Sequence, residues 1–239
     1  VNKEEKVRFM QDIPQPDFSD LPLDRYIFAK LPYQMTRGCY WSQCAFCSYR
    51  NTKGYIKRDV EQVIDHIQTM EKRYGRHIFQ FIDAIHPSIL RQLSDELIAR
   101  NVKIRYDAYL RLDKEFTPEL CKQLRKSGLK TVLFGFESAN QRMLDVMKKG
   151  NSPENMANVL KNMHRAGIQS ILSCLIGFPT ETKEEAWDSI RFLRENRAYY
   201  YWVYIVHFGL ISDMCQEAER YGLTDIQTDT LIRYDDTGF

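Results

Sequence analysis

Several things are missing from these 239 residues. No apolar run reaches the length needed to span a membrane. Neither charge sign dominates: 34 Lys and Arg stand against 32 Asp and Glu. That balance argues against a nucleic-acid binder driven by phosphate contacts and leaves room only for a local patch. No targeting segment is present, and the chain is too large to need disulfide staples. The five histidines, His66, His77, His86, His164 and His207, show no metal spacing. Beside the close pair Cys44 and Cys47 there is no second Cys-x-x-Cys and no His-x-x-x-His. These absences predict a cytoplasmic protein with one domain, or one domain and a tail, large enough to bury a core. The chain goes from Val1 straight into charged residues, so it reads as an excerpt of a longer protein.

What is present is concentrated in residues 38–49, Gly-Cys-Tyr-Trp-Ser-Gln-Cys-Ala-Phe-Cys-Ser-Tyr. Cys39, Cys44 and Cys47 are three of only six cysteines. Thiolates this close can hold a soft metal centre. A four-iron cluster takes one cysteine per iron, so three local ligands leave one iron open. An open position marks a catalytic rather than a structural site. A zinc knuckle remains the alternative, although structural zinc wants four ligands. Cys121, Cys174 and Cys215 are scattered singly.

Hydrophobic periodicity supplies the frame. Residues 1–32, punctuated by Pro14, Pro16, Pro22 and Pro32, read as an extended linker or an arm packed on the body. Strands are predicted over 33–36, 77–82, 102–110, 131–136, 168–176 and 199–208. Helices are predicted over 58–74, from 88, over 117–127, 141–148, from 152 to about 166, 182–196 and 213–221. Thr117-Pro118-Glu119 and Ser152-Pro153-Glu154 supply caps, and Thr182 with Glu185 a capping box. The alternation implies an α/β fold, a partial (β/α)6 TIM-like barrel with parallel strands. The expected division is a linker or arm over 1–32, the barrel over 33–212, and a C-terminal helix and tail over 213–239. Chemistry in such barrels sits at the carboxyl ends of the strands. Those ends carry the cysteine loop, Asp83, Arg111, Glu137 and Gly177-Phe178-Pro179. Lys148-Lys149 reads as a solvated helix end, and the dense rings of 199–204 as core or interface packing.

Three clustered cysteines, the last two flanking Phe46, follow a strand ending in Thr36-Arg37-Gly38. This pattern resembles the radical S-adenosylmethionine (SAM) enzymes, and the likeness extends over about residues 17–223. The commonest family spacing has three residues between the first two cysteines, whereas here there are four, Tyr40 to Gln43. The Gly-Cys-Tyr-Trp form resembles a subgroup joined to a cobalamin-binding domain. Gly135-Phe136-Glu137-Ser138 resembles the family's fourth-strand motif, whose carboxylate accepts from the ribose of SAM. Gly177-Phe178-Pro179 resembles the fifth-strand motif lying against adenine, although Thr180 and Glu181 depart from its spacing.

The resemblance implies that Cys39, Cys44 and Cys47 ligate a [4Fe–4S] cluster whose open iron is chelated by SAM. One electron then splits SAM into methionine and a 5′-deoxyadenosyl radical. Phe46 would pack near adenine, Arg111 would meet the SAM carboxylate or the substrate, and Asp83 the methionine amino group. A reductant such as flavodoxin or ferredoxin is implied, with a small molecule or peptide as substrate. Cobalamin would come through a domain outside this chain, since no Asp-x-His-x-x-Gly string occurs. Methylation, rearrangement, cobalamin-independent oxidation and peptide maturation all remain open. Outside enzymes, an iron–sulfur electron carrier or a metal-stabilised binding module is the alternative.

Overall fold

The computed structural model describes residues 9–48, 54–196, 198–207, 209 and 211–224. Its frame is one parallel sheet with a helix between each pair of successive strands. The strands are β1 (Leu31–Tyr33), β4 (Ile78–Ala84), β5 (Arg105–Leu110), β6 (Leu129–Glu137), β7 (Gln169–Ile176) and β8 (Tyr200–Ile205), in that spatial order. A separate antiparallel pair joins β2 (Thr36–Arg37) to β3 (Ile56–Lys57). The helices are α1 (Val60–Tyr74), α2 (Pro87–Ala99), α3 (Pro118–Ser127), α4 (Gln141–Val146), α5 (Pro153–Arg165), α6 (Lys183–Glu195) and α7 (Asp213–Gln216). This is the expected partial (β/α) barrel: six parallel strands, open between β1 and β8.

The two faces of the sheet differ. Side chains alternate along a strand, and burial alternates with them. Phe79 and Phe81 of β4, Tyr106 of β5, Phe134 and Phe136 of β6 and Leu172 of β7 are buried in one core with the helices. α1 turns Val63, Ile64, Ile67 and Met70 to it and stops at Gly75, whose left-handed φ of 61° caps the last turn. Pro118 and Pro153 take the first helical positions of α3 and α5, after the capping side chains of Thr117 and Ser152.

Several boundaries differ from the sequence reading. The first strand ends at Tyr33 rather than Thr36. Past it the chain leaves the sheet, because the Asp83 carboxylate accepts the backbone N–H groups of Met35 and Thr36. α1 begins at Val60, not 58. Arg58 is buried with its guanidinium on the carbonyl of Ile13 at 2.8 Å. β5 starts three residues later than expected and α4 ends two residues earlier. β8 spans Tyr200–Ile205, and Phe208, the expected end, lies outside the described residues. The C-terminal helix is two short pieces, α7 and a 3-10 turn at Ala218–Tyr221. Residues 9–30 lie along α1, with Phe18 edge-on to Tyr74 and Gln15 on the carbonyl of His66.

Candidate active site

The cysteine loop sits at the carboxyl end of the sheet, held from both sides. The Ala45 N–H donates to the Met147 carbonyl at 2.9 Å, and the Ala45 carbonyl accepts from the Met214 N–H at 3.0 Å. Ala45, Met143, Met147, Phe178, Met214 and Tyr221 form a small second core beneath it. The segment from Asp213 onward is therefore part of the mouth, and Lys148 pairs with Asp213 at 2.7 Å. Cys39, Cys44 and Cys47 remain half-buried thiols. Burial raises the Cys44 pKa, against the pull of Lys149 and Arg111. Among the described residues, no three His, Cys, Asp or Glu side chains converge on one metal ion.

The two residues after Cys39 are pinned. The Tyr40 hydroxyl donates to Asp113, and its ring lies edge-on to His86 at 4.8 Å. The Trp41 indole N–H donates to the Lys148 carbonyl at 2.9 Å, and the Arg111 guanidinium lies 4.3 Å from its ring centroid. Gly150 makes this possible. A Cβ there would stand 2.0 Å from the Trp41 ring, and its φ is +67°.

Beside the loop opens a cavity of about 320 Å³, lined by Thr36, Gly38, Asp83, Arg111, Gly135 and Lys149 among others. Glu137 ends β6 with φ at +66°. Its Oε1 accepts from the Lys149 ammonium at 2.9 Å, and both residues are buried. Burial, the largest single influence, would lower the Lys149 pKa, but the charges of Glu137 and Cys44 together with the Glu137 hydrogen bond reverse it, and the net direction is upward. Gly135 leaves space for the pair, since a Cβ there would lie 2.6 Å from Glu137 Oε1. Arg111 donates to the Lys149 carbonyl at 2.6 Å and pairs with Asp113.

The structure thus gathers Asp83, Arg111 and Glu137 at one mouth. Asp83 uses its carboxylate on Met35 and Thr36, and burial pushes its pKa up to about 6. Ser138 is fully buried and turned to Ser189 and the Asn140 N–H. Phe178 packs into the small core, edge-on to Phe46 at 6.2 Å. Gly177, with φ at +80°, and Pro179 form the turn outside β7, which Glu181 closes by accepting the Gly177 N–H at 2.6 Å. Lys149 is the correction: it is a buried ion-pair partner, not a solvated helix end. A lysine pair before a glycine carries no local sign of burial. Trp41 and Gly150 were also missed, being 109 positions apart in the chain.

Residues 33–193 match the family described as the radical SAM superfamily. The chain is 28% identical over 197 residues to an uncharacterized methyltransferase of Pyrococcus horikoshii, covering 79% of this chain and 42% of that protein. It is 25% identical over 208 residues to bacteriochlorophyllide d C-12(1)-methyltransferase of Chlorobaculum tepidum, covering 82% and 45%. The fold is shared with TsrM of Kitasatospora setae, a radical S-adenosylmethionine methyltransferase solved with cobalamin and a [4Fe–4S] cluster bound. The TM-score is 0.68 at 19% identity, covering 80% of this chain and 39% of that one. The chain spans less than half the length of these relatives. With the family match covering well over half its residues, the chain belongs to the radical SAM superfamily.

Proposed function

We propose that this chain is the catalytic core of an enzyme that reductively cleaves SAM at a [4Fe–4S] cluster held by Cys39, Cys44 and Cys47. The observation that carries the reading is the loop itself. It has three thiols, is fixed on both sides by backbone hydrogen bonds, and lies against a cavity at the strand ends whose lining includes Asp83, Arg111 and Lys149. The donor set fits. Three thiolates can each serve one iron and leave a fourth iron open. When bound, such a cluster supplies the electron that breaks a sulfonium carbon–sulfur bond of SAM, releasing methionine and a 5′-deoxyadenosyl radical.

The chain's own residues bind, orient and exclude water. The Glu137 carboxylate, steadied by Lys149, would accept from the ribose hydroxyls. Arg111 offers a cation to the methionine carboxylate. Asp83 holds the segment leading into the loop and would meet the methionine amino group. Phe46 and the backbone of the Gly177-Phe178-Pro179 turn would supply the surface for adenine, the Phe178 ring itself being buried, and Ser138 supports the Glu137 turn from beneath.

Anaerobic reconstitution with iron and sulfide, followed by SAM and a strong reductant, tests this. 5′-Deoxyadenosine should form, and should vanish in Cys44→Ala. An intact four-iron cluster that neither binds nor cleaves SAM would sink the reading and favour an electron carrier. Methyl transfer with cobalamin is the favoured downstream chemistry, because the relatives described above include methyltransferases, one solved with cobalamin. Cobalamin binding by the full-length protein checks it. A cytoplasmic flavodoxin or ferredoxin is the reductant this chemistry calls for.

A further inference from the structure

Between Cys39 and Cys44 the loop has two side-chain anchors, and both reach the same place. Tyr40 and Trp41 are neighbours in the loop. Arg111 and Asp113, two residues apart just past β5, receive them. The Tyr40 hydroxyl donates to Asp113 Oδ2, and the Arg111 guanidinium lies over the Trp41 ring. Ser42 follows with φ at +50°, a conformation a non-glycine residue keeps only where its surroundings hold it.

The Asp113 carboxylate joins the two anchors. Its Oδ2 takes the Tyr40 hydroxyl, and its Oδ1 takes Arg111 Nε at 3.3 Å. The side chains of Asp113 and Arg111 are 17% and 8% exposed. From Arg111 the contacts continue to the Lys149 carbonyl at 2.6 Å, and the Lys149 ammonium meets Glu137 at 2.9 Å. A line of contacts thus runs from the residue beside the first cysteine to the carboxylate proposed for the ribose.

An ionised carboxylate only accepts, and here each oxygen faces a donor. A carboxamide would turn its NH2 toward either the Tyr40 hydroxyl or Arg111 and lose that bond. Two of the five N–H donors of Arg111 are used, one on Asp113 and one on the Lys149 carbonyl. These fix the plane of the guanidinium and leave its other donors for an anion. A carboxylate serving only as counterion to Arg111 would have no need of Tyr40. We infer that Asp113 is a positioning residue that holds the Cys39 side of the loop and the Arg111 guanidinium in one fixed relation. The first cluster ligand and the cation offered to the methionine carboxylate are then set by the same side chain. The consequence for SAM rests on the radical reading, whereas the link from Asp113 to the loop does not.

The iron-free protein is first alkylated with N-ethylmaleimide, and labelling of Cys39 and Cys47 is followed by peptide mass spectrometry. Asp113→Asn and Tyr40→Phe should each raise the Cys39 rate relative to Cys47 by about tenfold. Phe134→Ala, which loosens the body and leaves the loop contacts in place, should not change the ratio. The reconstituted protein is then titrated with SAM, followed by the EPR signal of the reduced cluster, which ligation of the open iron alters. Both variants should retain four irons, and in each the midpoint of the SAM response should move up by about tenfold. The double variant should be no worse than Asp113→Asn alone, because both changes break one unit. Tyr40→Phe is the sharper test, since it keeps the ring and leaves Arg111 its counterion. A wild-type labelling ratio in both variants overturns the inference. So does a ratio raised as much by Phe134→Ala, a SAM midpoint unchanged in Tyr40→Phe, or effects that multiply in the double variant. If no protein, wild type included, responds to SAM, the radical reading falls, and the labelling ratio, measured without iron or SAM, still decides the link to the loop.

Discussion

The helix-covered face of the sheet and the mouth that carries the cysteine loop share strands but are held differently. The covered face is redundant. Phe79, Phe81, Tyr106, Phe134 and Phe136 belong to one continuous apolar core, and each ring has many neighbours. The mouth depends on single contacts: one hydrogen bond on each side of Ala45, one ion pair at Glu137, and one glycine making room for Trp41. Apolar burial tolerates small shifts because it has no direction. Buried polar groups do not, because an unmade partner leaves a desolvated charge. The body should therefore answer substitution with lost stability alone, and the mouth with lost geometry as well.

The largest stability effect should come from the body. Phe134→Ala should cost about 3–5 kcal/mol in urea unfolding, from lost burial and a residual cavity. A much smaller cost would mean that this face is looser than its burial implies. Lys149→Met should approach that size, since breaking a buried pair costs about 3–5 kcal/mol. The double variant with Glu137→Gln should recover part of it. If the double is as unstable as the single, the pair is not what holds the mouth. Gly150→Ala should cost about 1–3 kcal/mol as an overpacked site. It should also move the Trp41 emission as the ring leaves Arg111, a readout the body variants should not show.

The last effect is a slope with pH. Burial raises Asp83 to about 6 from an ordinary 3.8. Between those values the folded chain holds a proton that the unfolded chain has released. Stability should thus fall as pH rises from about 4 to about 6, by roughly 1.4 kcal/mol per pH unit, and level off above. Asp83→Asn should remove this component. An unchanged slope would place the titrating group elsewhere.

Much of the body was legible in the sequence because its signals are local. The face Val63, Ile64, Ile67 and Met70, the caps Thr117 and Ser152, and the stop at Gly75 each lie within a few turns of one element. The mouth was legible only in part. Glu137 and Arg111 could be placed at strand ends by counting residues. The turn after Tyr33 could not, because Asp83, 47 residues beyond Thr36, draws the chain out of the sheet. The rings of β8 could be predicted as a strand, but not as exposed on both faces, since exposure depends on which elements pack against it.

From the sequence alone come the alternation that makes six parallel βα units, and a cysteine loop whose spacing calls for a soft metal. Periodicity and ligand spacing are short-range properties, complete within a dozen residues. Only the tertiary structure decided that Lys149 is buried against Glu137, that Trp41 fits over Gly150, and that the 213–221 segment clamps the loop. Each of these sets residues distant in the chain side by side, and register and packing, not local pattern, determine which residues those are.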